Sequence, residues 1–231
     1  MSSTSIAGSD DTRRVLHRVR KHPSAVLLVV QLVGVLLYPF MESTPIGRGL
    51  FEVFGALVLA LAIWSVRSSA GPNWIPILLG VVASGLAIAD AVHHTPVLLG
   101  WSAVFHVLFY LWAAGSLMVY MLSDNRVTTD ELFAVGATFT LVAWAFAYLF
   151  VLVQILQPGC FIAAVNADAP RTWTELLFLS FTNLSSTGLS DIVPITPHAR
   201  SVVMIEQLAG LGYVALFVSR LVGLTISRRM L

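Results

Sequence analysis

The stretch from Asn183 to Asp191 reads Asn-Leu-Ser-Ser-Thr-Gly-Leu-Ser-Asp, and apolar sequence precedes it. Small hydroxyl residues around a glycine let a backbone run close to an axis and turn its carbonyl oxygens toward a narrow lumen. Irregular backbone of this kind is tolerated at membrane depth only where it is buried in protein or lines a water-filled cavity. Ahead of it, Trp173–Leu184 is an apolar run of about 12 residues. That is too short to span a bilayer and matches a buried or re-entrant helix. A helix that stops halfway aims the negative end of its dipole at the membrane centre. The pairing is pore-like on physical grounds. Its chemistry would be the exchange of a cation's water shell for protein oxygens.

Other residues carry weaker signals. Glu206 lies within a long apolar run, where an ionisable group is functional by default; it either faces the back of the Ser/Thr/Gly stretch or pairs with Arg200. Arg220, near the end of that run, would line a gate, bind lipid headgroups or snorkel to the interface. Gly210 and Gly212 suit either a hinge or close helix packing. Asp90, His93 and His94 end one apolar run and His106 lies in the next, a weak pattern for a metal or proton site against that of a solvated cap. The lone Cys160 excludes an intrachain disulfide framework and reads as an incidental small residue. No phosphate loop, His-x-x-Glu-His cluster or Gly-x-Ser-x-Gly elbow occurs, so no enzyme is expected.

Only 11% of the 231 residues are charged while 57% are hydrophobic, and mean hydropathy is +0.85. A soluble domain carries about 25% charged residues, so the bilayer is the solvent that fits. Apolar runs fall at about 24–41, 50–67, 74–92, 98–122, 131–156 and 201–226. With ~20 residues needed per span, they predict six transmembrane helices, with the short segment between the fifth and sixth. The fold class is an all-α membrane protein. Residues 1–23 form a basic cytoplasmic segment that includes a short interfacial helix, 24–122 a four-helix jacket, 123–130 a cytoplasmic linker, and 131–231 a pore domain. Arg13, Arg14, Arg18, Arg20, Lys21, Arg67, Arg126, Arg228 and Arg229 lie on one side, against Arg48, Arg171 and Arg200 on the other. The bias places both termini in the cytoplasm and the short segment on the outer face. Trp64, Trp74 and Trp101 sit near helix ends, as an aromatic belt would place them. Residues 98–122 contain no Lys or Arg, which excludes an arginine-bearing voltage sensor.

Residues 181–200, Phe-Thr-Asn-Leu-Ser-Ser-Thr-Gly-Leu-Ser-Asp-Ile-Val-Pro-Ile-Thr-Pro-His-Ala-Arg, resemble the potassium-channel superfamily pattern F-x-T-L-T-T-x-G-Y-G-D-I-x-P-x-T-x-x-A-R. The likeness to small bacterial potassium-channel-like proteins continues through Glu206, Gly210, Tyr213 and Ser219-Arg220-Leu-Val-Gly. The lead-in Arg126-Val-Thr-Thr-Asp and the turn Gln157-Pro-Gly extend it, so that it covers roughly 126–226. The resemblance implies a homotetramer in the plasma membrane that conducts a monovalent cation passively, with potassium foremost. It implies no other cofactor, no nucleic acid and no attached ligand-binding domain; the lipid bilayer is the other partner. Ser186, Thr187, Gly188, Leu189 and Ser190 would form the ion-binding filter, with Asp191 at the outer mouth. Phe178, Thr182 and Glu206 would support the filter, while Gly210, Gly212 and Arg220 would supply hinge or gate. Leu189 stands where the family has a tyrosine, and Phe178 and Leu179 cannot hydrogen-bond at the bracing positions. Ser190 stands where the family has a glycine and left-handed backbone is expected, at a cost of ~1 kcal/mol. Two alternatives follow: a weakly selective monovalent cation channel, or a non-conducting scaffold or sensor that keeps the fold.

Overall fold

The computed structural model describes residues 22–42, 45–66, 74–93, 95–123 and 128–229. The basic segment before residue 22 with its expected interfacial helix, Arg67, His94 and Arg126 lie outside the described residues. The helices are α1 (Pro23–Glu42), α2 (Pro45–Val66), α3 (Trp74–His93), α4 (Pro96–Leu122), α5 (Thr129–Leu156), α6 (Trp173–Leu184) and α7 (Pro197–Arg229). Two strands, β1 (Phe161–Ala163) and β2 (Ile192–Pro194), flank α6 in the chain.

Helices α1, α2, α4 and α7 open on proline, whose missing N–H costs nothing at a first helical position and whose fixed φ suits it. This start moves two boundaries. The second apolar run, expected from residue 50, is helical from Pro45, and the last, expected from 201, is helical from Pro197. Thr128 caps α5, accepting the Glu131 N–H at 3.2 Å.

Helix α5 is the hub. It packs against α1, α4, α6 and α7, while α2 leans on α1 and α3 on α4. Its contact faces are small: Ala134, Ala137, Ala143 and Ala147 are fully buried, and small side chains let helices approach closely without a hydrophobic drive between them. An aromatic seam locks α5 to its neighbours. His106 of α4 stacks on Tyr148 at 4.3 Å between centroids, and Trp144 meets Trp173 of α6 edge-on at 5.6 Å.

The strands pair antiparallel, with Phe161 opposite Pro194 and Ala163 opposite Ile192. The sequence offers no alternation there, and this short pair is an addition to an otherwise all-helical chain. The pair satisfies backbone groups in segments where no helix does so. Ile195 N–H donates to Cys160 O at 2.9 Å and extends the clamp.

Among the described residues, four helices are long and apolar enough to cross a membrane: α3, α4, α5 and the Pro197–Arg220 part of α7. Pro23–Tyr38 and Phe54–Ser65 are apolar but shorter. Large apolar side chains such as Val81, Val92, Leu208 and Leu211 are exposed in the single chain.

Candidate functional site

Helix α6 is pinned at its start. Thr172 Oγ1 accepts the Glu175 N–H at 3.3 Å, and Glu175 Oε2 accepts the Thr172 N–H at 2.7 Å, a full capping box. Arg171, just before it, is buried. Its guanidinium donates to the carbonyls of Val165, Asn166 and Ala169 and to Glu175 Oε1 at 3.2 Å. Gln154 of α5 holds the Arg171 backbone, accepting its N–H at 2.7 Å and donating to its carbonyl at 3.0 Å. The charge pattern assigned Arg171 only to a side of the membrane. Geometry makes it the anchor of the α6 entrance.

The far end of α6 is where the Ser/Thr/Gly stretch turns back. Ser185 N–H donates to Phe181 O at 3.1 Å, Ser186 N–H to Asn183 O at 2.9 Å, and Thr187 and Gly188 N–H both to Thr182 O at 3.0 Å. The helix's unsatisfied last carbonyls are thereby filled by the return segment. The carbonyls of residues 185–190 accept no hydrogen bond among the described residues. The N–H groups of Ser185 to Gly188 face the helix, and the oxygens are left over. Thr182 therefore supports this segment through its backbone carbonyl, while its hydroxyl donates to Leu179 O at 2.8 Å.

Left-handed backbone makes the turn possible: Ser186 has φ +59° and Gly188 φ +65°. Ser190, where such a conformation was expected, is not among the described residues with positive φ. Its hydroxyl accepts the Ile192 N–H at 3.0 Å, a local turn that leads straight into β2. The strain of about 1 kcal/mol belongs to Ser186 instead. Leu189 is 80% exposed and Asp191 is exposed without a partner among the described residues. Phe178 is half-exposed in the single chain, whereas Leu179 is buried.

Glu206 of α7 is fully buried behind α6 and does not pair with Arg200, whose Nε donates to Pro194 O at 3.1 Å. One oxygen, Oε1, is hydrogen-bonded to Ser180 Oγ, and Ser180 Oγ also donates to Ala143 O of α5 at 2.8 Å. The second oxygen has no hydrogen-bond partner among the described residues, and neither does the buried Nδ2 of Asn183. One turn further along α7, a Cβ on Gly210 would lie 2.0 Å from Leu184 O and 2.7 Å from Leu184 C. Gly210 is thus the point of closest approach between α7 and the end of α6. A Cβ on Gly212 meets nothing within 4 Å. Thr182, Asn183, Ser186, Gly188, Gln207 and Leu208 help line an open hollow of about 510 Å³ between the return segment and α7.

Arg220 does not stand free. Its Nη2 donates to Glu131 Oε2 at 3.3 Å, with both side chains largely buried, tying the end of α7 to the start of α5. The adjacent Asp130 accepts the Ser24 N–H at 3.2 Å and its hydroxyl at 2.9 Å, capping α1 from another helix. These acids gave no sequence signal, because their partners lie far along the chain. The histidines do not assemble. His106 is buried with Nδ1 2.8 Å from Ser102 O, His93 is exposed, and no group of three or more His, Cys, Asp or Glu among the described residues is placed to hold a metal. Cys160 is buried, and burial pushes its thiol pKa up.

A family model described as "Ion channel" matches residues 97–226, from the start of α4 through most of α7. The chain belongs to this ion-channel family. It is a potassium-channel-like membrane protein with an ion-channel domain, and a channel rather than an enzyme. The match takes in α6, the return segment and the inward-tied N–H groups described above. No curated protein and no solved structure matches the chain.

Proposed function

We propose that the chain is one subunit of a homotetrameric passive cation channel in the plasma membrane. In this reading α1 to α5 and α7 span the bilayer, α6 is a re-entrant pore helix, both termini are cytoplasmic, and residues 186–190 form the filter. One chain supplies one such loop, so a closed ring about an axis needs several copies. The observation that carries the reading is the hydrogen-bond direction of the return segment. The N–H groups of Ser186, Thr187 and Gly188 are tied to Thr182 and Asn183, and the carbonyls of residues 185–190 accept nothing among the described residues. Four such oxygen-bearing segments around an axis would replace the water shell of a monovalent cation, potassium foremost. The unpaired Asp191 carboxylate would concentrate cations at the outer mouth.

The exposed Leu189 favours weak discrimination between potassium and sodium. Among the described residues no side chain braces it, and a carbonyl ring without bracing adapts to either ion. Thallium influx into liposomes holding the purified protein tests conduction. Entry well above that of empty liposomes supports the channel, and entry equal to empty liposomes favours the scaffold. Leu189→Tyr combined with Ser190→Gly should raise the potassium-to-sodium permeability ratio. An unchanged ratio would place selectivity outside the outer half of the filter.

A further inference from the structure

The proton count around Ser180 determines the state of Glu206. A serine hydroxyl has one proton to give and two lone pairs to offer. Ser180 Oγ touches two oxygens, the Ala143 carbonyl at 2.8 Å and Glu206 Oε1. The carbonyl can only accept, so it takes the serine proton. A carboxylate at Glu206 would then leave two acceptors facing each other, in a position sealed from solvent and with no other donor for Oε1 among the described residues. A proton on Oε1 resolves the clash, because Glu206 then donates to Ser180 Oγ. The second oxygen becomes a plain carbonyl acceptor. With the proton on Oε1, the second oxygen is an acceptor and the nearby buried Asn183 Nδ2 a donor, each without a hydrogen-bond partner among the described residues. Among the described side chains, cations give no alternative compensation: Arg171 pairs with Glu175, Arg220 with Glu131, and Arg200 bonds to Pro194 O.

We infer that Glu206 is a neutral carboxylic acid that positions the end of α6, through one directional chain from Asn183 Nδ2–H to Glu206, from Glu206 Oε1–H to Ser180 Oγ, and from Ser180 Oγ–H to Ala143 O. The chain joins α7, α6 and α5 in the last turns of α6, whose carbonyls at Thr182 and Asn183 hold the return segment by its N–H groups. Glu206 is therefore a positioning residue that acts through Ser180 and Asn183. A buried, half-satisfied network costs more than an apolar one, so a complete chain is what makes a polar group tolerable at this depth.

Infrared spectroscopy of the lipid-reconstituted protein at neutral pH tests this without any ion current, so it stands or falls separately from the channel reading. The expected result is a protonated-carboxyl C=O band that disappears in Glu206→Gln. In Ser180→Ala the band should persist at higher frequency, because the acid proton has lost its acceptor. Should Glu206→Gln fail to assemble, the Ser180→Ala shift carries the assignment. As a second readout, glutamine offers an N–H to Ser180 and a carbonyl to Asn183, so Glu206→Gln should keep thallium flux within about twofold, while Glu206→Met should lower it about tenfold. Absence of the acid band in the wild type, a band indifferent to both substitutions, or equal loss in Gln and Met variants would overturn the inference.

Discussion

Replacing Gly210 by alanine separates two effects of opposite sign. In an open helix position the change favours folding by about 1 kcal/mol, since alanine is the better helix former. At Gly210 the new Cβ would sit 2.0 Å from Leu184 O, where ordinary contact begins near 3.4 Å. The obstacle is backbone on both sides, so no side chain can rotate away and α7 must retreat from α6 by about 1 Å or more. Overpacking of this kind costs about 1–3 kcal/mol, and a rigid backbone obstacle puts Gly210 at the upper end. The net expectation is a loss of roughly 1–2 kcal/mol, or a fall of roughly 2–8 °C in thermal midpoint for a chain of this size. Gly212→Ala is the control: its Cβ meets nothing, so stability should hold or rise by up to about 1 kcal/mol. Thermal unfolding of both variants in the same detergent is the assay. Equal midpoints for the two would refute the close approach and return Gly210 to the role of a hinge.

Removing either partner of the Arg220–Glu131 pair, as in Glu131→Gln or Arg220→Met, should cost roughly 1–3 kcal/mol, because both side chains are largely buried. The double variant Glu131→Gln with Arg220→Met completes the mutant cycle and should show coupling, and additive effects would deny the pair. Cys160 should label slowly with maleimide near neutral pH, since a raised thiol pKa leaves little thiolate and burial blocks access. Its rate should rise with pH and jump on denaturation; labelling as fast as a free thiol in the native protein would contradict the clamp between Cys160 and Ile195. Thr172→Ala removes one half of the α6 capping box and should cost about 1 kcal/mol, seen as faster hydrogen exchange at the Glu175 amide.

The helices were legible because their signals are local. Runs of apolar residues mark them directly, although the helices at Pro45 and Pro197 open a few residues ahead of the runs they carry. The short segment from Trp173 to Leu184 was legible for the same reason, and the structure ends it at those two residues. What escaped depends on partners distant in sequence. Arg171 finds its carbonyls only once the loop after β1 folds back, Glu131 meets Arg220 across 89 positions, and Ser180 meets Glu206 across 26. Gly210 was left between hinge and packing because only the position of Leu184 distinguishes them. The misplacement of strain at Ser190 has a different origin. A glycine in a family pattern marks a backbone need in the family, but Ser190 forms its own turn with Ile192, and the left-handed residues fall earlier at Ser186 and Gly188.

The most direct test is planar-bilayer recording from purified protein with potassium chloride on one side and sodium chloride on the other. A carbonyl-lined passage with an unbraced outer filter predicts unitary currents carried by cations rather than chloride, and a reversal potential displaced only modestly in the direction that favours potassium. Absence of current under every condition, or current carried by chloride, would contradict it.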